Sequence, residues 1–207
     1  FRPNDRTPTV TGRFNATADC VGGTMTHWSA WSWRFRPDDF RVRSHEGAVA
    51  GASLADWPFP YEEIEPFYEK AEWEFGVSGD APANPFGAPR KKNYPTPAHP
   101  ERVSSRRVRA GAAKLGWHPF PLPLAINSRA YGDRPQCMYG GACYGFGCPI
   151  HAKATSLSVC IPKALATGKN LAALGAMYTG STVFPAVAGL VLLAEEPRPG
   201  TGWLAVV

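Results

Sequence analysis

Long apolar runs are missing from this chain. Nowhere do about 18 apolar residues follow one another, the minimum for a membrane-spanning helix, and the best stretch, 183–194, is short and interrupted by Pro185. Charge is scarce too, at 19% of 207 residues, while 44% are apolar, which excludes a disordered polyelectrolyte. The balance of 22 Lys and Arg against 17 Asp and Glu gives a net +5, part of it at 90–92 and 102–114. That excess is mild and reads as solvated faces rather than a nucleic-acid interface. Five cysteines are an odd count, which argues against a fully paired disulfide scaffold. The Gly-x-Gly-x-x-Gly, P-loop, His-Glu-x-x-His and Gly-x-Ser-x-Gly motifs are all absent, so a nucleotide-binding strand-turn-helix is not in these residues.

What is abundant is glycine and proline, 21 of each, together with seven Trp, eleven Phe and seven Tyr. This combination predicts long loops that wrap a ligand, with regular elements partly elsewhere. The length allows one large domain or one and a half. Residues 1–19 read as loop, and Asp38-Asp39-Phe40 as a short helical turn. The strongest helix signal starts at Pro60 or Tyr61, where Ile64, Phe67, Tyr68, Ala71 and Phe75 recur at helical spacing as a core face. Glu62, Glu63 and Glu65 crowd its first turns, Gly76 stops it, and Pro66 is expected to break it. A proline-rich excursion covers 80–100. A second helix is predicted over 100–115, then an extended segment 117–123, a helix over 155–167, and strands at 185–193 and 203–207.

Two groups of residues carry chemistry. In Val21-Gly22-Gly23-Thr24-Met25-Thr26-His27-Trp28-Ser29, paired glycines let a backbone come close to a flat ligand, and an imidazole four positions after Gly23 can reach a ring lying there. The second is Cys137-x5-Cys143-x4-Cys148, with His151 beyond it and glycines at 140, 141, 145 and 147. Three thiolates suit an iron-sulfur cluster, three plus His151 a tetrahedral zinc, and the plain alternative is thiols buried as small hydrophobes. A zinc-stabilised module contacting nucleic acid therefore stands as the competing class. His45, His99 and His118 read as structural or exposed.

On the loop at 21–29, the chain resembles the glucose-methanol-choline (GMC) oxidoreductases, FAD-dependent enzymes that oxidise alcohols and sugars. It is most similar to the branch of pyranose 2-oxidase and the flavoprotein subunits of gluconate and related sugar dehydrogenases. The likeness continues through Trp31-Ser32-Trp33-Arg34-Phe35, Pro37-Asp38-Asp39-Phe40, Asp56-Trp57-Pro58, Tyr61 to Tyr68, Gly116-Trp117-His118-Pro119 and Cys148-Pro149-Ile150-His151-Ala152-Lys153, covering roughly residues 14 to 170.

The resemblance implies an α/β (mixed α+β) fold, part of a two-domain FAD-binding enzyme with long loops and a few helices. Residues 1–45 would belong to the FAD-binding domain, 46–170 to a lid or substrate-domain excursion holding the cysteine knot, and 171–207 to a divergent tail. Val21, Gly22, Gly23, Thr24, His27, Trp28 and Ser29 would contact FAD, with His27 as the covalent attachment point and Ser29 near flavin N5. Cys137, Cys143 and Cys148 would ligate a cluster, although Gly140 stands where a further Cys is often found. The implied activity is oxidation of a CH–OH group on a sugar, sugar acid or alcohol by hydride transfer to flavin N5. The electrons would pass to a cytochrome or quinone, with a cytochrome or small subunit as partner and a location in the periplasm or at a membrane through that partner. The family's dinucleotide fingerprint and its catalytic histidine fall outside these residues. With no initiator Met or signal pattern at Phe1, the chain is expected to be an internal piece that is inactive alone.

Overall fold

The computed structural model describes residues 20–140 and 145–167. The expected loop at 1–19, Cys143 and the strands expected at 185–193 and 203–207 lie outside them. Within the described residues the chain mixes helices with a little parallel sheet, compatible with the α/β expectation. A 3-10 turn at Gly23–Thr26 is followed by another at Pro37–Phe40, then α1 (Val42–Glu46) and α2 (Tyr61–Phe75). Strands β1 (Ser78–Gly79) and β2 (Thr96–Pro97) pair in parallel, Ser78 against Thr96 and Gly79 against Pro97. Helix α3 (Val103–Lys114) comes next, and a π-helical turn (Ser156–Cys160) runs directly into α4 (Ile161–Ala166).

The centre of this arrangement is the extended segment 123–127. On one edge, Ala125 N–H donates to the Ala30 carbonyl, Ser32 N–H to Pro123, Ala154 N–H to Ala125, and Asn127 N–H to Ala152. On the other edge, Leu124 and Ser78 exchange N–H···O bonds at 2.9 and 2.7 Å. Segments 30–32 and 152–154 thus line one side of this spine, while β1 lines the other. The apolar core is correspondingly small: Ala30, Val77, Ala125, Ile126, Ala154, Val159 and Cys160, with Trp28, Phe75, Tyr94 and Leu124 packed against it.

Helix α2 departs from expectation in two respects. Pro66 does not break it; one helix runs Tyr61–Phe75, so only the N–H that Glu62 would have accepted is lost. The predicted core face holds only in part: Ile64, Tyr68, Ala71 and Phe75 are half-buried and Phe67 is exposed, while the fully buried positions are Tyr61, Glu65 and Glu72. Arg34 explains both findings. Its Nε and Nη2 donate to the two Glu72 oxygens at 2.8 and 2.7 Å, and its Nη1 donates to Glu65 Oε1 and Tyr61 Oη, each at 3.1 Å. Both carboxylates are thereby held from a point facing the middle of the helix, one on each side of Pro66. Arg90 adds a bond to Glu72 at 2.7 Å while stacking on Tyr94 at 3.9 Å, and the Tyr61 hydroxyl donates to the Pro89 carbonyl at 2.6 Å. The proline-rich excursion is therefore strapped onto α2 by ion pairs.

The remaining helices follow their signals. α3 lies within the predicted span, with only Ala112 buried, so Arg102, Arg106, Arg107 and Arg109 form a solvated face as read. Thr155 caps the last helical segment, its hydroxyl accepting from Ser158 N–H.

Removing Arg34 leaves two carboxylates buried without their cation. Arg34→Met should cost about 3–5 kcal/mol in denaturant unfolding, and adding Glu72→Leu should recover part of it. Burial acts to raise the Glu65 carboxyl, but the Arg34 hydrogen bond, the Lys91 backbone N–H and both neighbouring charges outweigh it, leaving the group below its ordinary value. The stabilisation it gives is thus present above about pH 4.3 and lost as pH falls through the lower folded value. Glu65→Gln should flatten the acid limb of the stability profile in that window.

Candidate functional site

The loop at 21–29 is shaped first by its glycines. Gly23 N–H donates to Cys20 carbonyl at 2.8 Å, closing a turn in which Gly22 sits at φ 91°, ψ −6°, the third-position geometry of a type II turn. A Cβ on Gly22 would lie 2.8 Å from Leu157 Cβ and 3.0 Å from the Thr26 methyl, so the close approach that Gly22 permits is to the protein itself. Gly23, at φ 56°, has nothing within 4 Å of a Cβ position and faces open space.

Beyond this turn, the loop is anchored at Trp28. Its indole Nε1 donates to the Ala154 carbonyl at 2.9 Å, and its own carbonyl accepts from Lys153 Nζ at 2.9 Å. Lys153 is 1% exposed and donates also to the Phe146 carbonyl at 2.6 Å. The loop's other end is held where Ser156 Oγ donates to the Gly22 carbonyl. Next in sequence, Ala30 is fully buried with φ 64°, a left-handed conformation that a side chain normally avoids. Between these anchors His27, Ser29 and Thr24 are half-buried, and among the described residues none of their side chains has a hydrogen-bond partner. A loop fixed at its main chain and unpaired at its polar side chains is suited to bind something else.

The cysteine region is partly placed. Cys137 and Cys148 are half-buried with free thiols, and Cys143 lies outside the described residues. Cys137 Sγ accepts from Tyr139 N–H at 3.3 Å, with Tyr139 held at φ 56°. Among the described residues no three His, Cys, Asp or Glu side chains are grouped to hold a metal. His151, also left-handed at φ 56°, closes a turn on the Cys148 carbonyl. Cys160 behaves as the small hydrophobe, its thiol pushed up to about 11 by burial. His99, read as structural, is so. Its Nε2 lies 3.0 Å from the Ile126 carbonyl, which fixes the proton there, and Nδ1 faces Tyr139 Oη at 3.3 Å. Burial lowers its pKa against the effect of the Ile126 bond, with nearby Arg102 lowering it further.

An open cleft of about 630 Å³ lies between Trp33, Phe86, Phe120 and the 90–92 basic run. Its cations are largely spent within the fold, Arg90 on Glu72 and Lys92 on Glu69 at 2.8 Å, and Lys91 lies 3.7 Å from Glu65. That pairing suits a strap better than an anion site.

Comparison with characterised proteins places the chain among oxidoreductases. The chain is 39% identical over 133 residues to the fructose dehydrogenase large subunit of Gluconobacter japonicus, covering 64% of this chain and 23% of that protein. It is 34% identical over 146 residues to 6'''-hydroxyparomomycin C oxidase of Streptomyces lividus, 69% of this chain and 26% of that protein. It is 29% identical over 159 residues to the gluconate 2-dehydrogenase flavoprotein of Pantoea cypripedii, 65% of this chain and 26% of that protein. The chain belongs to the GMC oxidoreductase family. It spans about a quarter of the length of these relatives. No protein-family model matches it.

Within this GMC chain, the sequence singled out the 21–29 loop but carried no signal for the segment that supports it. Lys153 was visible only as the end of the Cys-Pro-x-x-Ala-Lys likeness, and its burial had no signal. The two glycines should separate experimentally. In denaturant unfolding, Gly22→Ala combines left-handed strain with overpacking against Leu157 and should cost about 2–4 kcal/mol, whereas Gly23→Ala should cost about 1–2 kcal/mol from strain alone.

Proposed function

We propose that this chain forms part of an FAD-dependent oxidoreductase acting on a CH–OH group of a sugar, sugar acid or alcohol, with electrons passed on to a cytochrome or quinone. The observation that carries the reading is the 21–29 loop in a GMC chain: an anchored backbone presenting an unpaired imidazole beside a glycine whose Cβ direction is open. These residues fit a flat cofactor. Gly23 leaves room for it, Thr24 and Ser29 offer hydroxyls, and the imidazole of His27 offers a ring nitrogen for covalent attachment. Bound flavin would supply the two-electron acceptor for the hydride released by the substrate.

The chain's own contribution is positional. Fixing Trp28 by both its ring and its carbonyl fixes the directions of the two residues beside it, His27 and Ser29. The indole and the buried 152–156 segment close the loop's inner side to water. The relatives' names include fructose, gluconate and an aminoglycoside, which supports a polyol or sugar substrate class. An iron-sulfur cluster on Cys137, Cys143 and Cys148 would supply a relay toward the acceptor, and the Tyr139 N–H on Cys137 sulfur suits a thiolate ligand.

The full-length protein should be yellow, and the colour should stay with the pellet on acid precipitation. His27→Ala should release the flavin into the supernatant while the fold is kept. A full-length protein that stays colourless after reconstitution with FAD would end this reading.

A further inference from the structure

The loop that presents His27 and Ser29 does not hold itself. Its only internal side-chain bond among residues 22–29 runs from Thr26 Oγ1 to Gly23 carbonyl at 2.9 Å. Apart from the turn on Cys20, its anchors come from one short segment 125–135 residues later in the chain. Lys153 Nζ takes the Trp28 carbonyl, Ala154 carbonyl takes the Trp28 indole, Ser156 Oγ takes the Gly22 carbonyl, and Leu157 fills the space under Gly22. This segment is itself rigid. Ala152, Lys153, Ala154, Thr155 and Ser156 are all buried, Ala154 and Asn127 N–H groups pin it to the spine, and Thr155 and Ser158 cap the helical turn that follows.

Lys153 differs in kind from the other anchors. An ammonium carries three N–H donors and no acceptor, and here two of them bridge carbonyls from separate parts of the chain, Trp28 in the loop and Phe146 just before Cys148. Charge-assisted bonds of this sort are roughly twice as strong as neutral ones. A methylene stem that reaches the core and ends in a cation between two carbonyls is a costly arrangement for packing alone, because burying a charge is penalised unless hydrogen bonds repay it.

We propose that Lys153, supported by Ser156, is a positioning residue for the cofactor loop: its ammonium sets the Trp28 main chain and thereby the directions in which His27 and Ser29 meet the flavin. This rests on the flavin reading of the loop. Displacements near 1 Å at a reacting group can change rates by about 100-fold, so a residue that never touches the cofactor can control its attachment and environment.

The test uses the full-length protein as wild type, Lys153→Met, Lys153→Gln and Ser156→Ala, each assayed well below its unfolding midpoint. Two readouts besides turnover are taken: flavin that survives acid precipitation, and the visible-region circular dichroism of bound flavin, which reports its geometry whether or not it is covalent. Lys153→Met should lower flavin content about 10-fold and change the dichroism. Lys153→Gln, which keeps a donor without the charge, should recover part of both, and Ser156→Ala should shift both less. If Lys153→Met does not fold, Lys153→Gln and Ser156→Ala carry the test. Folded variants with wild-type flavin content and dichroism overturn the positioning role while leaving the flavin reading intact. A wild-type protein without flavin overturns both.

Discussion

Arg34 is the interaction on which the rest of the described chain depends. Among the described residues about a dozen apolar side chains are buried, several of them alanine, and these residues are organised as much by one guanidinium as by apolar packing. The cation ties the segment after the 21–29 loop to the middle of α2, and α2 in turn receives the 80–95 strap through Glu72. Such a centre is demanding: every polar atom must find its partner, because a half-satisfied buried network is worse than none. Arg34, Glu65, Glu72, Tyr61 and Arg90 meet that condition with five bonds of 2.7 to 3.1 Å.

From this centre the site is reached in a few bonded steps. Arg34 lies two residues beyond Ser32, whose N–H joins the 123–127 spine, and the spine holds the 152–154 segment at its other end. The 21–29 loop is therefore clamped between two segments that share one edge of the same strand. Polar side chains left unpaired on such a frame are held for use, because their main chain cannot relax to satisfy them.

The local signals in the sequence were read well where they act locally. The α2 boundaries, the Pro37–Phe40 turn, the exposed basic face of α3 and the Thr155 start followed from caps, stops and charge placement. What could not be read was long-range. Nothing in the spacing of Glu65 and Glu72 said that an arginine 31 and 38 residues earlier would bury them, so the innermost positions were assigned to the apolar residues of the helix, which are only half-buried. The Gly-Gly pair was legible as an unusual backbone, but which glycine faces protein and which faces open space depends on Leu157, 135 residues away from Gly22. Lys153 escaped for the same reason, since a lysine is ordinarily a surface residue and only the fold supplies its two carbonyls.

The imidazole of His99 has a consequence outside the site. A strand with open N–H and C=O groups is an invitation to pair with any other extended chain. One edge of the spine is filled by 30–32 and 152–154, and the other is filled at Leu124 by Ser78 and at Ile126 by the His99 ring. A side chain thus stands where a further strand would add. By occupying that carbonyl, His99 takes up one of the acceptors through which another extended chain would pair with this segment.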